Sequence, residues 1–162
     1  MAAVKEIWRY PVKSMAGERV SEADLTLAGF PDNRKFLVMG PRGVITSRTH
    51  HQLLRLKGAI GEDGTPRVDG HRWDSPEALS LVKEAAGTDA GLVYSEGVEG
   101  FDVLPLLVAT EGAIAHLGFD GRRLRPNIMI GGVEGLEERT WTGRRLRVGG
   151  AVIRRHSFAA AA

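Results

Sequence analysis

Two short segments set cations and short hydroxyl or amide side chains beside a proline: Tyr10-Pro11-Val12-Lys13-Ser14 near the start, and Arg122-Arg123-Leu124-Arg125-Pro126-Asn127-Ile128 near the end. Proline fixes its own backbone angle, so polar groups next to it are held in place. Lys13 can neutralise a phosphate while the Ser14 hydroxyl hydrogen-bonds one of its oxygens. Arg125 can hold an anionic group, and Asn127 can both donate to and accept from a ring edge. The chemistry these residue types support is recognition of a phosphorylated small molecule. Taken alone, Lys13-Ser14 also fits an exposed polar turn, and Arg122 and Arg123 fit a solvated flank.

Other side chains say less by themselves. Arginines in strands and turns are usually solvated, which is the plain reading of Arg34 and Arg48. Glu137 and Glu138 suggest acid–base chemistry or a divalent metal. Neighbouring carboxylates on an extended strand point to opposite faces, so cooperation is not expected, and one of them is read as a partner for an arginine. His50 and His51 have no third ligand at useful spacing, and His71, His116 and His156 are dispersed, so no metal site is read. His156 fits a solvent-facing residue, a pocket wall or an alternative ligand. Gly131-Gly132 and Gly149-Gly150 fit turns between strands, because neither pair opens a helix. Trp8, Trp73 and Trp141 are expected in the core or at its rim.

The elements that must carry these groups read mostly as strands. Residues 4–10 alternate apolar and polar side chains, as do residues 19–27 and 35–39, and Gly40-Pro41-Arg42-Gly43 is a turn leading into residues 44–46. This antiparallel meander puts Lys13, Arg34 and Arg48 at strand ends or turns, where a barrel presents ligand-binding groups. Residues 53–60 read as another strand and residues 61–66 as a polar loop. A helix starts at Asp74 or Ser75, takes Pro76 in its first turn, ends at Gly87 and places Leu79, Val82 and Ala86 at helical spacing. Residues 91–100 hold an edge-like strand and a glycine-punctuated loop, a boundary between two halves. Residues 104–109 read as a buried strand, Thr110 caps a short helix to Leu117, and residues 127–130, 145–148 and 151–155 alternate as strands. The expected fold class is mainly β, antiparallel and barrel-like, with a few short peripheral helices.

Composition narrows the function classes. The chain has 162 residues, 43% hydrophobic and 26% charged, which fits one ordinary core or two small subdomains sharing one. A formal charge of +2 is too small to argue for nucleic acid, although arginine outnumbers lysine and its planar fork suits phosphate. No stretch approaches the roughly 20 apolar residues that span a bilayer, and the start lacks the order of a secretory signal. No membrane partner is expected, and the cytoplasm is the expected location.

In order along the chain, these segments resemble the MOSC family, proteins related to the C-terminal domain of molybdenum cofactor sulfurase. Tyr10-Pro11-Val12-Lys13-Ser14 is followed by a Gly-Asp-Arg-like turn at Gly29-Phe30-Pro31-Asp32-Asn33-Arg34, its aspartate shifted, and by a Thr-x-Arg-like hairpin end at Ile45-Thr46-Ser47-Arg48. Then come Asp102-Val103-Leu104-Pro105-Leu106, Arg123-Leu124-Arg125-Pro126-Asn127-Ile128 and Glu137-Glu138-Arg139-Thr140-Trp141. The resemblance implies an N-terminal β-barrel-like segment over residues 1–98 and a MOSC core segment over residues 99–162, its C-terminal part missing or degenerate. It implies that molybdenum cofactor (molybdopterin) is bound in a basic cleft between the halves by Lys13, Ser14, Arg34, Arg48, Arg125 and Asn127. Metal-binding relatives place a cysteine shortly after the strand that residues 151–157 represent, and this sequence contains no cysteine. Three accounts stay open: the sequence is incomplete, the terminal alanines stand for unassigned or added residues, or the protein lacks the ligand. With a cysteine beyond the end, the resemblance implies an oxidoreductase that reduces N-hydroxylated compounds with electrons from a separate protein. Without one it implies a non-catalytic cofactor or sulfur carrier, or a metal-free MOSC fold binding another anionic small molecule.

Overall fold

In a computed structural model of the chain, residues 1–97, 100–102 and 104–154 are described. They divide into two units, Trp8–Leu106 on one side and Met1–Ile7 with the chain from Leu107 onward on the other. Strand β1 (Ala3–Arg9) starts in the second of these and ends in the first.

The Trp8–Leu106 unit holds the short strand β2 (Glu18–Val20) and two antiparallel three-stranded sheets. In one, β3 (Phe36–Gly40) lies between its hairpin partner β4 (Gly43–Ile45) and β8 (Gly91–Tyr94). In the other, β5 (Gly58–Ile60), β6 (Pro66–Val68) and β7 (His71–Arg72) run in order. Residues 12–16 stitch the two sheets. The Lys13 N–H donates to the Phe36 carbonyl at 2.9 Å, and the Ala16 N–H donates to the Leu56 carbonyl at 2.9 Å. Pro11 has no N–H to offer, and its carbonyl accepts from the Phe36 N–H at 3.0 Å.

Helix α1 (Pro76–Ala86) forms as its sequence dictates. The Ser75 side chain accepts from the Ala78 N–H, Pro76 fills a first-turn position whose N–H would be unpaired, and Gly87 ends the helix at φ 106°. Its buried face is Ala78, Val82 and Ala86, so the apolar stripe is turned from the expected one and Leu79 is exposed. These residues pack with Val12, Met15, Phe36, Val38, Leu53, Leu56, Val68 and Ala90 in one core. Full burial of a side chain such as Val82 stabilises by roughly 1.5–3 kcal/mol. The Phe36 ring also meets Trp73, 4.9 Å between centroids.

The second unit contains β9 (Val108–Thr110), α2 (Glu111–Leu117) and β10 (Ile128–Gly131), with β9 and β10 parallel and α2 in the connection between them. Thr110 caps α2 by accepting from the Ala113 N–H, and Gly118 closes it in the left-handed conformation. β10 pairs antiparallel with β1, with an irregularity between Val4 and Glu6. β11 (Arg145–Val148) and β12 (Ala151–Arg154) make a hairpin across Gly149-Gly150, with Gly149 at φ 58°.

The fold is mainly β and mostly antiparallel, as expected, with two α-helices among the described residues. No closed barrel forms among the described residues, whose strands lie in sheets of two to four. Of residues 19–27 only the start is strand. Residues 21–28 are mostly exposed, and Thr26 builds a local turn instead, its hydroxyl donating to the Gly29 carbonyl and accepting from the Ala28 N–H. Residues 51–55 form a 3₁₀ turn that buries Leu53, and the expected 53–60 strand begins only at Gly58. The loop read over residues 61–66 ends in a hairpin strand, because the turn is short. The strand read over residues 104–109 starts only at Val108, after Pro105. Glu137–Trp141 is a 3₁₀ turn and not extended, which withdraws the opposite-faces argument for Glu137 and Glu138. Residue 155 of the last expected strand, His156 and the terminal alanines lie outside the described residues, as does Val103. No helix among the described residues is long and apolar enough to cross a membrane.

Candidate functional site

The backbone around Lys13 is fixed by a second segment, residues 30–36. Asn33 is fully buried, and its Oδ1 accepts from the Tyr10 N–H at 3.0 Å. The next residue returns the contact: the Arg34 N–H donates to the Tyr10 carbonyl at 2.6 Å. This exchange lays Tyr10-Pro11-Val12-Lys13 against Asn33-Arg34-Lys35-Phe36. Lys13 and Ser14 are both buried, at 9% and 4% exposure.

The local conformations are unusual for their residue types. Among the described residues five other than glycine have positive φ, and three of them are candidate site residues: Ser14 at 73°, Arg34 at 56° and Arg125 at 52°. A left-handed residue with a side chain costs about 1–2 kcal/mol, so surrounding contacts must hold it there. At Arg34 the holding contacts are the Tyr10–Asn33 exchange and a close approach by Gly100. Any Cβ at position 100 would overlap the Arg34 carbonyl oxygen, so only glycine lets residues 100–102 come this near.

That approach delivers Asp102. Its Oδ1 lies 3.2 Å from Lys13 Nζ and its Oδ2 lies 3.7 Å from Arg34 Nη1. Arg48, which lies within a turn where the Thr46 carbonyl accepts from the Thr49 and His50 N–H groups, adds its charge to the same carboxylate. Partial burial of Asp102 works against its ionised form, but the Lys13 hydrogen bond and the charges of Lys13, Arg34 and Arg48 outweigh it. Its carboxyl therefore ionises below the usual aspartate range. Lys13 and Arg34 thus each lie against one oxygen of the Asp102 carboxylate, and the charge of the exposed Arg48 acts on the same group. The Lys13 and Arg34 side chains are mostly covered, at 11% and 10% exposure, while Asp102 is 45% exposed.

Arg125 and Asn127 fall in the other unit. Arg125 closes the 3₁₀ turn Gly121–Leu124, its N–H donating to the Arg122 carbonyl at 3.0 Å. Asn127 is 1% exposed, and its Oδ1 accepts from the Leu107 N–H at 3.1 Å while its own N–H donates to the Leu107 carbonyl at 2.7 Å. Its amide oxygen thus holds backbone. Arg122 and Arg123 are exposed, as the flank reading expects: Arg122 pairs with Asp120, and Arg123 lies over the Phe119 ring. The Arg122 hydrogen bond and charge pull the Asp120 carboxyl down to about 2. Glu138, one of the two carboxylates of which one is expected to partner an arginine, accepts from the Thr110 hydroxyl at 3.2 Å.

Sequence reasoning brought Lys13, Arg34 and Arg48 toward one place but gave Asp102 no role. The signal was present, since an acid stands beside the glycine-rich stretch and before Pro105. Nothing in local spacing joins it to Lys13. Among the described residues no group of three or more His, Cys, Asp or Glu side chains is placed to hold a metal ion. A hollow of about 460 Å³ in this unit is lined by Arg9, Phe30, Glu22, Asp24 and Asp32, among others. Its carboxylates suit cations, and none of the Lys13, Ser14, Arg34, Arg48 and Asp102 side chains lines it.

No curated protein matches this chain. The family described as the MOSC N-terminal beta barrel domain matches residues 1–102, a span that takes in Lys13, Ser14, Arg34, Arg48 and, at its last residue, Asp102. The match covers well over half of the sequence, and the chain belongs to that family.

Proposed function

We propose that the chain binds the molybdenum cofactor by its pterin phosphate, held by Lys13, Arg34 and Arg48 with Ser14 beside them. One observation carries the reading. Lys13 and Arg34, unrelated in local sequence, each lie against one oxygen of the Asp102 carboxylate, and the charge of Arg48 acts on the same group. Association of the MOSC family with this cofactor supplies the identity of the ligand, and Arg125 and Asn127 enter by that resemblance only.

The residues fit one part of the cofactor and not another. A covered lysine and arginine on a hydrogen-bonded frame suit a phosphate, because their positions are set before the ligand arrives. The soft thiolate that would hold the metal is not among these 162 residues. When bound, the cofactor supplies oxygen-atom chemistry at its metal. What this chain's residues do is neutralise the phosphate, fix its orientation and keep the cations apart by backbone contacts.

In a longer protein supplying a cysteine, the same site belongs to an oxidoreductase acting on N-hydroxylated small molecules, with electrons from a separate protein. For these residues alone the reading is a cofactor or sulfur carrier. A cytoplasmic location is part of the same proposal. The test is pterin content after purification from cells that make the cofactor. Wild type should retain pterin, while Lys13→Ala and Arg48→Ala should lose most of it. Full occupancy in both variants would contradict the site.

A further inference from the structure

We propose that Asp102 is a built-in counter-ion that occupies the anion's place in the ligand-free chain, so that an incoming oxyanion must displace it. For the chemistry of its ligand this inference rests on the cofactor-phosphate reading. Its geometry stands by itself. Each Asp102 oxygen faces a different cation, Oδ1 toward Lys13 at 3.2 Å and Oδ2 toward Arg34 at 3.7 Å, the bridging arrangement a phosphate or sulfate would adopt. The Arg34 distance is longer than a hydrogen bond, so this arm of the bridge is held by charge alone.

The cluster is also unequal in burial. Lys13 and Arg34 are the covered members, whereas Asp102 is 45% exposed, so an anion arriving from solvent meets the carboxylate first. The cations are mounted on paired backbone, through the Lys13 N–H on the Phe36 carbonyl and the Arg34 N–H on the Tyr10 carbonyl. Asp102 sits on a bend just after Gly100. Displacement therefore moves the acid and leaves the cation frame in place. A tethered carboxylate competes at high effective concentration, which lowers affinity for every anion that needs the same cations.

The alternative role for Asp102 is to position Lys13 and Arg34 for the ligand, and the two roles predict opposite signs. Sulfate and phenyl phosphate are titrated calorimetrically into the full chain as wild type, Asp102→Asn, Asp102→Glu and Lys13→Ala. The amide removes the competing charge while keeping the shape, so Asp102→Asn should bind both probes more tightly, on the order of tenfold. Asp102→Glu keeps the charge and should stay near wild type, and Lys13→Ala should bind least. Binding by Asp102→Asn that is equal to or weaker than wild type, with Lys13→Ala still impaired, overturns the counter-ion role and leaves the cofactor-phosphate site standing. Absence of binding in wild type and Asp102→Asn alike overturns both. Thermal melts of the four proteins check folding, and because Asp102 is 45% exposed its amide variant should melt only slightly below the wild type.

Discussion

Two turns in this molecule are built alike and differ in what answers their charge. Residues 30–34 and residues 120–127 each place an arginine in the left-handed conformation, Arg34 at φ 56° and Arg125 at φ 52°. Each sets beside it a buried asparagine whose Oδ1 accepts a backbone N–H from a distant segment, Tyr10 for Asn33 and Leu107 for Asn127. In the first turn the arginine's charge meets Asp102, far along the chain. In the second the acid is local, Asp120 pairing with Arg122 two residues away. A local pair needs no fold to form it. An acid brought in from a distance does, and it marks the turn whose positive charge the fold collects in one place.

The largest effects should come from the shared device. Asn33→Ala and Asn127→Ala each leave a backbone N–H without its acceptor, so each should cost about 1–3 kcal/mol in urea unfolding. Asn33→Ala should in addition weaken phenyl phosphate binding, because the Tyr10–Lys13 segment loses its anchor. Unchanged stability in both would mean the asparagines do not clamp the turns.

Next come the left-handed arginines. Glycine accepts that backbone freely, so Arg125→Gly should stabilise by up to about 1 kcal/mol. Arg34→Gly gains the same relief but loses a covered side chain and a cation, so it should gain less stability and bind phenyl phosphate several-fold more weakly. Equal melting shifts with unaltered anion binding would remove the distinction between the turns.

Acid should produce the smallest effect. Both Asp102 and Asp120 have carboxyls lowered below the unfolded value, so each pair contributes stability that is fully present above roughly pH 4. That contribution is lost as pH falls through the folded values, which for Asp120 means about 2. Asp102→Asn and Asp120→Asn should each flatten the acid limb of a stability-versus-pH curve slightly, since exposed pairs are well screened. A limb unchanged in both variants would mean neither pair matters to folding.

Much of this was legible in the residues. Ser75, Pro76 and Gly87 carry their own reasons for starting and ending α1, and Thr110 and Gly118 do the same for α2. The Gly149-Gly150 hairpin needed only its glycines and alternating neighbours. Lys13, Arg34 and Arg48 could be read because proline and turn residues mark where strands end. What stayed hidden depends on contacts distant in sequence. The pairing of residues 12–16 with both sheets shows no periodicity, since it rests on two isolated bridges, Val12 with Phe36 and Ala16 with Lys57. Asp102 reaches Lys13 only because Gly100 can lie against Arg34, a fact of packing with no local sign. Leu53 and Leu56 read as strand residues because a short apolar run looks the same in a strand or a 3₁₀ turn until its neighbours are in place.

The most direct measurement is an amide NMR titration of the wild-type chain with phenyl phosphate. Saturable shifts should appear together at Lys13, Ser14, Arg34, Arg48 and Asp102, with a single affinity. Saturation elsewhere with those five unmoved would contradict the anion site.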